Sequence, residues 1–189
     1  MSLAPHGHLA AAPSPWVRQH ASLVPPRSRV LDLAAGTGRH ARFMASLGHA
    51  VVAVDRDADA LSALAGVGGV ETRVLDLETD RWPLEGERFD AIVVANYLHR
   101  PAFGAMLATL SDAGVLLYET FAAGNEAFGR PSNPAFLLAS GELLERVRGR
   151  LAVVSYEEGR VEREGAAAVV QRIAAVGPRH PRPWPIAER

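Results

Sequence analysis

Two residue types are missing from this chain of 189 residues: there is no cysteine, and all 20 residues of the Lys and Arg count are arginine. Without thiols there is no disulfide framework, thiolate nucleophile, cysteine-ligated zinc or iron–sulfur cluster. Without lysine there is no Schiff base and no P-loop lysine for phosphate. An excess of charge of one sign is lacking too. The net charge is −1, so no global field draws the chain toward nucleic acid or anionic lipid. Arg18, Arg27 and Arg29 stand without acids in the first 31 residues and read as solvated surface rather than a phosphate track. No apolar run reaches the roughly 18 residues of a membrane span. Residues 1–15 lack the basic start of a signal peptide, and Pro5, His6, His8 and Pro13 interrupt them. The expectation is a cytoplasmic protein with one domain over residues 1–177, followed by an extended Pro- and Arg-rich tail at 178–189.

From Arg29 onward short apolar runs alternate with helical patterns, which implies βαβ units on a parallel sheet. Strands are predicted near 29–33, 50–54, 71–75, 89–95 and 114–120, with helices over 39–47, 57–64 and 101–110 between them. Ser14-Pro15 reads as an N-cap followed by proline at the first position of a short helix that Pro25-Pro26 stops. Ser140 is expected to cap a helix ending at Arg148 before Gly149. Two further strands, 151–156 and 167–176, are joined by a charged turn at 159–165, so one of them runs antiparallel to the rest. The fold expected is α/β, Rossmann-like and doubly wound: a mostly parallel seven-stranded sheet with a C-terminal antiparallel hairpin.

The segment Val30-Leu-Asp32-Leu-Ala34-Ala-Gly36-Thr-Gly38-Arg-His40 orders a strand, a glycine turn and a helix start. Backbone N–H groups and the helix N-terminus are then expected to face a ligand at the strand end. Asp55 closes the second strand, where a carboxylate accepts the hydroxyls of a ribose, and Arg56 follows it. Asp76 closes the third, where it can take an adenine amino group while Leu77 packs on the ring. Each acid alone reads equally well as a turn residue or cap. Three of them at successive strand ends make a joint accident much less expected, and they read together as candidates for a nucleoside cofactor.

With Phe89-Asp-Ala-Ile-Val-Val-Ala-Asn96-Tyr97, these segments resemble the class I S-adenosylmethionine-dependent methyltransferases over roughly residues 14–176. The resemblance implies S-adenosyl-L-methionine as cofactor and S-adenosyl-L-homocysteine as product. It assigns Asp32 and the Gly36–Gly38 loop to the methionine end, Asp55 to ribose, Asp76 and Leu77 to adenine, and Asn96 with Tyr97 to the floor beneath the sulfonium. Ala34 replaces that family's first loop glycine, a departure that narrows the approach to the methionine part. The rival reading is a nicotinamide-dependent oxidoreductase, because Gly36-x-Gly38-x-x-Ala41 fits the relaxed dinucleotide fingerprint and Asp55 lies 19 residues after Gly36. Asp32 counts against it, since its carboxylate repels a pyrophosphate and suits a cationic sulfonium. A protein that only binds the cofactor is the third reading.

Beyond the fifth strand, the segment 121–136 has no period, two prolines and three phenylalanines, which suits a lid over a polar substrate. Asn125, Glu126, Phe128, Arg130 and Asn133 are its substrate-binding candidates, with Phe136 excluding water. Arg100 joins them: in the tellurite-resistance type that the chain resembles, arginines near the crevice receive an oxyanion. His99, Tyr97, Tyr118 and Glu119 are the catalytic candidates, with His99 as a base of ordinary pKa about 6.5. The seven histidines show no ligand spacing, so no metal is expected. The Asn-Pro-Pro-Tyr tetrad of amino-group methylation on adenine or glutamine is replaced by Asn96-Tyr-Leu-His99. A small-molecule acceptor is therefore expected, with direct transfer to oxygen, nitrogen, sulfur or a metalloid.

Overall fold

The structure, a computed structural model, describes residues 12–163 and 166–184. Its elements are α1 (Pro15–His20), β1 (Arg29–Leu33), α2 (Arg39–Ser46), β2 (Ala50–Asp55), α3 (Ala58–Ser62), β3 (Val70–Val74), β4 (Phe89–Ala95), α4 (Phe103–Ala108), β5 (Leu110–Phe121), α5 (Glu142–Val147), β6 (Ala152–Arg163) and β7 (Ala166–Val176). The seven strands form one sheet in the order β3-β2-β1-β4-β5-β7-β6. The first five are parallel, and β7 lies antiparallel to both β5 and β6.

Strand periodicity divides the core into two layers. Leu31, Leu33, Val52, Val54, Ile92, Val94 and Leu116 point to one face, where Phe103 and Met106 of α4 and Leu143 and Val147 of α5 cover them. Val30, Val51, Ala53, Ala91, Val93 and Leu117 point to the other, beneath Trp16 and Val17 of α1, Met44 of α2 and Leu61 of α3. Burial on both faces explains why β1, β2 and β4 read as nearly continuous apolar runs. Asp32 interrupts that pattern and lies buried within β1.

Ser14 caps α1 as the sequence implies, its hydroxyl accepting from the Trp16 N–H at 3.1 Å. Asp57 caps α3 in the same way. Ser140 does not cap α5: Gly141 takes that place at φ 71°, its N–H donates to Glu158, and Glu142 accepts from the Ala139 N–H. The expected turn at 159–165 is also corrected. β6 runs through Gly159, opposite Val170, as far as Arg163. This hairpin carries charge on both faces, with Glu157 and Glu162 among its residues, so no apolar alternation marks it as a strand.

Residues 178–184 lie on the domain. The Gly177 and Arg179 N–H groups donate to the Gly114 and Asp112 carbonyls, and the His180 ring contacts the Leu23 carbonyl at 2.8 Å. Trp184 packs against the layer that contains Trp16. The remaining tail, 185–189, and the histidines His6 and His8 lie outside the described residues.

Candidate active site

In an open sheet, ligands bind beyond the carboxyl ends of strands where the strand order reverses. Here that point lies between β1 and β4, which are paired directly. Each strand is followed directly by a residue in the left-handed region, Ala34 at φ 54° and Asn96 at φ 58°. These two turns carry the chain away from the sheet and leave a crevice between them.

One side of the crevice is a cavity of about 270 Å³ lined by Ala34, Asp55, Arg56, Leu75, Asp76, Leu77, Glu78, Asn96 and Tyr97. Seven of these are expected cofactor residues; Leu75 and Glu78 are additions from the same strand end. Asp55 spans two loops, accepting from the Gly36 N–H at 2.8 Å and from the Asp57 N–H at 3.0 Å. A carboxylate has about four lone-pair sites, so capacity remains for ligand hydroxyls. Asp76 accepts from the Glu78 N–H at 2.9 Å. Among the described residues the buried Tyr97 hydroxyl has no hydrogen-bond partner. Burial, then the Glu78 and Asp76 charges, push its pKa well above the ordinary value. Three carboxylates, an aliphatic wall and an orphaned hydroxyl suit a nucleoside rich in donors, and so fit S-adenosylmethionine.

The glycine loop corrects one expectation. The Gly36 N–H is taken by Asp55 and the Gly38 N–H by the Ala35 carbonyl, so neither glycine lines a cavity with a free donor. Gly38 is required by packing instead: at φ 78°, a Cβ there would lie 2.4 Å from the Leu64 side chain. The N-terminus of α2 is occupied as well, because Asp32 accepts from the Ala41 N–H at 2.8 Å. A dinucleotide pyrophosphate would need that position. Burial pushes the Asp32 carboxyl up to about 7, against the opposing effects of the Ala41 bond and Arg39. Beside it His40 is buried, and burial, then the Arg39 charge, lower its pKa to about 3. His40 Nε2 accepts from the Ser14 N–H at 3.2 Å, which requires a neutral ring with its proton on Nδ1. That Nδ1 lies 4.0 Å from Asp32 Oδ1, a neutral contact rather than an ion pair.

The other side of the crevice is a cavity of about 590 Å³, and Asn96 lines both. This larger cavity is also lined by residues 12–15, Arg18, Arg39, Glu119, Phe121, Asn125, Phe128, Gly129, Arg130, Glu162 and residues 166–168. Glu119 is buried at the end of β5; it accepts from the Ser14 hydroxyl at 2.8 Å and faces Arg172 at 3.5 Å. Ser14 thus ties the segment before α1 to β5 through its hydroxyl and to α2 through its N–H.

The expected catalytic and substrate residues separate in space. Glu119, Phe128 and Arg130 line the larger cavity and Tyr97 the smaller. Asn125 also lines the larger cavity, but its amide pins the loop, accepting from the Val169 N–H and donating to the Pro131 carbonyl, both at 3.0 Å. Tyr118 does not face the crevice. It is buried against Phe103, its hydroxyl donates to the Tyr97 carbonyl at 2.7 Å, and burial raises its pKa. His99 is half-buried and lines neither cavity. Arg100 is held by Glu142 at 2.9 Å and by the Ala135 and Leu137 carbonyls. Glu126 accepts from the Gly124 N–H, Asn133 caps the turn at Ala135, and Phe136 is exposed away from both cavities. Sequence reasoning missed Arg18, Arg39 and Phe121. Arg39 directly follows Gly38, a placement that can be read; Arg18 reaches the site only through the tertiary path of α1.

Residues 30–114 match a family model described as a methyltransferase domain. Among solved structures, TehB from Haemophilus influenzae superposes with a TM-score of 0.72 at 20% identity, covering 85% of this chain and 61% of that one. A TehB-like S-adenosylmethionine-dependent methyltransferase from Corynebacterium glutamicum gives 0.63 at 21% identity, covering 86% of each chain. The 1,6-didemethyltoxoflavin-N1-methyltransferase of Burkholderia thailandensis, solved with 1,6-didemethyltoxoflavin and S-adenosylhomocysteine bound, gives 0.64 at 25% identity, covering 86% of this chain and 76% of that one. No curated protein sequence matches the chain significantly. The fold and crevice define a class I methyltransferase architecture. Residues 30–114 match a methyltransferase domain, and the fold is the one shared by these S-adenosylmethionine-dependent methyltransferases; the chain spans about 61% of the length of the Haemophilus TehB chain.

Proposed function

We propose that this chain transfers the methyl group of S-adenosylmethionine, in line, to an oxygen, nitrogen, sulfur or metalloid atom of a small molecule held in the larger cavity. The observation that carries this reading is Asn96. It stands at the switch point and lines both cavities, so a nucleoside in one and an acceptor in the other meet beside it. Bound there, the cofactor supplies a methyl group already activated on a sulfonium and leaves as the neutral thioether once the acceptor's lone pair has taken the methyl carbon. The protein contributes placement, and proximity with alignment is worth up to roughly 7–11 kcal/mol.

In this reading Asp55 holds the ribose hydroxyls, Asp76 and Leu77 the adenine, and Tyr97 completes its hydrogen bonding on the ligand. Ala34 and Arg56 complete the nucleoside wall. Asp32, Gly36 and Gly38 position these groups from behind the loop. Glu119 acts as a positioning carboxylate, since its partners Ser14 and Arg172 already engage it. His99 and Tyr118 carry no role in transfer. A small-molecule acceptor is supported by a cavity of about 590 Å³, and by the Burkholderia methyltransferase solved with 1,6-didemethyltoxoflavin bound. The net charge of −1 speaks against nucleic acid. No helix among the described residues is long and apolar enough to cross a membrane; the proposed location is cytoplasmic. The oxidoreductase reading fails on Asp32, which fills the helix N-terminus that a pyrophosphate needs.

Calorimetric titration with S-adenosylhomocysteine and with NADH tests the assignment. Binding of the first alone is expected, and binding of NADH alone would overturn it. Label transfer from methyl-labelled cofactor into a metabolite extract then separates an enzyme from a cofactor-binding protein.

A further inference from the structure

The larger cavity contains a charge imbalance. Arg18, Arg39 and Arg130 line it, and among the described residues none of their guanidinium groups makes a hydrogen bond or ion pair with another residue. The two carboxylates that line the same cavity are engaged: Glu119 with Ser14 and Arg172, and Glu162 with Arg160. S-adenosylmethionine does not correct the imbalance, because its sulfonium, ammonium and carboxylate sum to one positive charge. Its carboxylate can engage one arginine. Arg39, in the first turn after the glycine loop, is placed for that contact. Arg18 on α1 and Arg130 on the loop after β5 are left, and Phe121 and Phe128 line the same cavity.

We infer that the acceptor is an organic acid with a planar apolar body, its carboxylate bound by Arg18 and Arg130 and its ring packed against Phe121 and Phe128. This rests on the methyltransferase reading and narrows it to an acceptor class. A guanidinium matches a carboxylate with two parallel N–H···O bonds. The two phenylalanines and a volume of about 590 Å³ favour an aromatic acid over a bare inorganic oxyanion, which offers Phe121 and Phe128 no ring to pack on; the Arg160 guanidinium lies over the Phe128 ring at 5.2 Å and leaves room for such a contact only beside it. A bound anion also offsets the positive charge that the cofactor adds, so the two ligands support one another's binding.

The test is calorimetric binding of benzoate, 4-hydroxybenzoate and 4-aminobenzoate, with 4-hydroxybenzamide as the neutral analogue and tellurite as the inorganic anion. Each is titrated into the full chain with and without S-adenosylhomocysteine. At least one aromatic acid should bind at micromolar to low millimolar concentration, roughly tenfold or more tightly than the amide. R130Q and R18Q should each weaken it by roughly 10- to 100-fold while S-adenosylhomocysteine affinity stays within twofold. Both side chains are exposed and make no hydrogen bond or ion pair among the described residues, so folding is not at stake. The inference is overturned if no acid binds, if the amide binds equally well, if neither substitution matters, or if tellurite alone binds. Failure of S-adenosylhomocysteine to bind would sink the methyltransferase reading instead, and the acid titration without it still reads the arginines.

Discussion

The buried Asp32 and His40 should exert opposite and nearly cancelling effects on stability as pH changes. Asp32 is raised from 3.8 to about 7, so between these values the folded state holds a proton that the unfolded state has released. Its contribution to stability therefore falls as pH rises through that window. His40 is lowered from 6.5 to about 3, so there the unfolded state holds the extra proton and stability is lost as pH falls. Each unbalanced proton is worth about 1.4 kcal/mol per pH unit. Where the windows overlap, the pair contributes almost no slope. D32N keeps an oxygen for the Ala41 N–H but removes one term; relative to wild type, it should lose about 2 kcal/mol between about pH 6 and pH 4.5. H40Q keeps an acceptor for the Ser14 N–H and should gain a similar amount over the same interval. The double variant should return to the wild-type slope. Urea melts followed by circular dichroism across this range give the slopes, and background titrations cancel in the differences. Two single variants that move in the same direction, or that keep the wild-type slope, would refute the reasoning.

Asp55→Ala should lower S-adenosylhomocysteine affinity by about 10- to 100-fold and cost about 1–2 kcal/mol of stability, because the Gly36 and Asp57 N–H groups lose their acceptor; an unchanged dissociation constant removes Asp55 from the site. Tyr97→Phe should stabilise the ligand-free protein by about 1 kcal/mol, since the buried hydroxyl has no partner among the described residues, while weakening S-adenosylhomocysteine about fivefold. Thermal melts with and without ligand separate the two effects, and a stabilised variant with unaltered affinity would show that the hydroxyl never meets the ligand. Ala34→Gly should raise stability by about 0.5–1 kcal/mol, relief of the left-handed strain outweighing the added chain entropy. At roughly 2–4 °C per kcal/mol for a chain of this size, a melting temperature that fell would contradict that balance.

The parallel strands were legible because burial on both faces demands continuous apolar runs, and β1, β2 and β4 supply them. The acids of the smaller cavity were legible for a related reason: Asp55 and Asp76 stand where such runs stop, and strand ends in this architecture converge on one crevice. What fails is inference about side-chain partners. Tyr118, at the same strand end as Glu119, faces the opposite way because alternate residues on β5 point to opposite sides, and a shift of one residue decides between core and cavity. Arg100 looked available until Glu142 and two carbonyls, all more than thirty residues distant, enclosed its guanidinium. Arg18 read as solvated surface because nothing local shows that α1 folds back across the sheet; Trp16, buried beside it, fixes that path only in three dimensions.

The absence of lysine gains a physical meaning at this site. Every cation in the larger cavity is a guanidinium, planar, permanently charged and without a lone pair to compete for a methyl group at neutral pH. An ammonium in the same place would titrate more readily when desolvated, and its free amine would itself be a nucleophile within reach of a sulfonium. In the proposed site, arginine would therefore hold an anion without offering the cofactor an alternative acceptor. The lack of cysteine acts in the same direction, since no protein thiolate can intercept the methyl group or form a covalent adduct with the substrate. The side chains that line the crevice are thus suited to binding and orienting, and the only strong nucleophile that the proposed reaction needs is the one the acceptor brings.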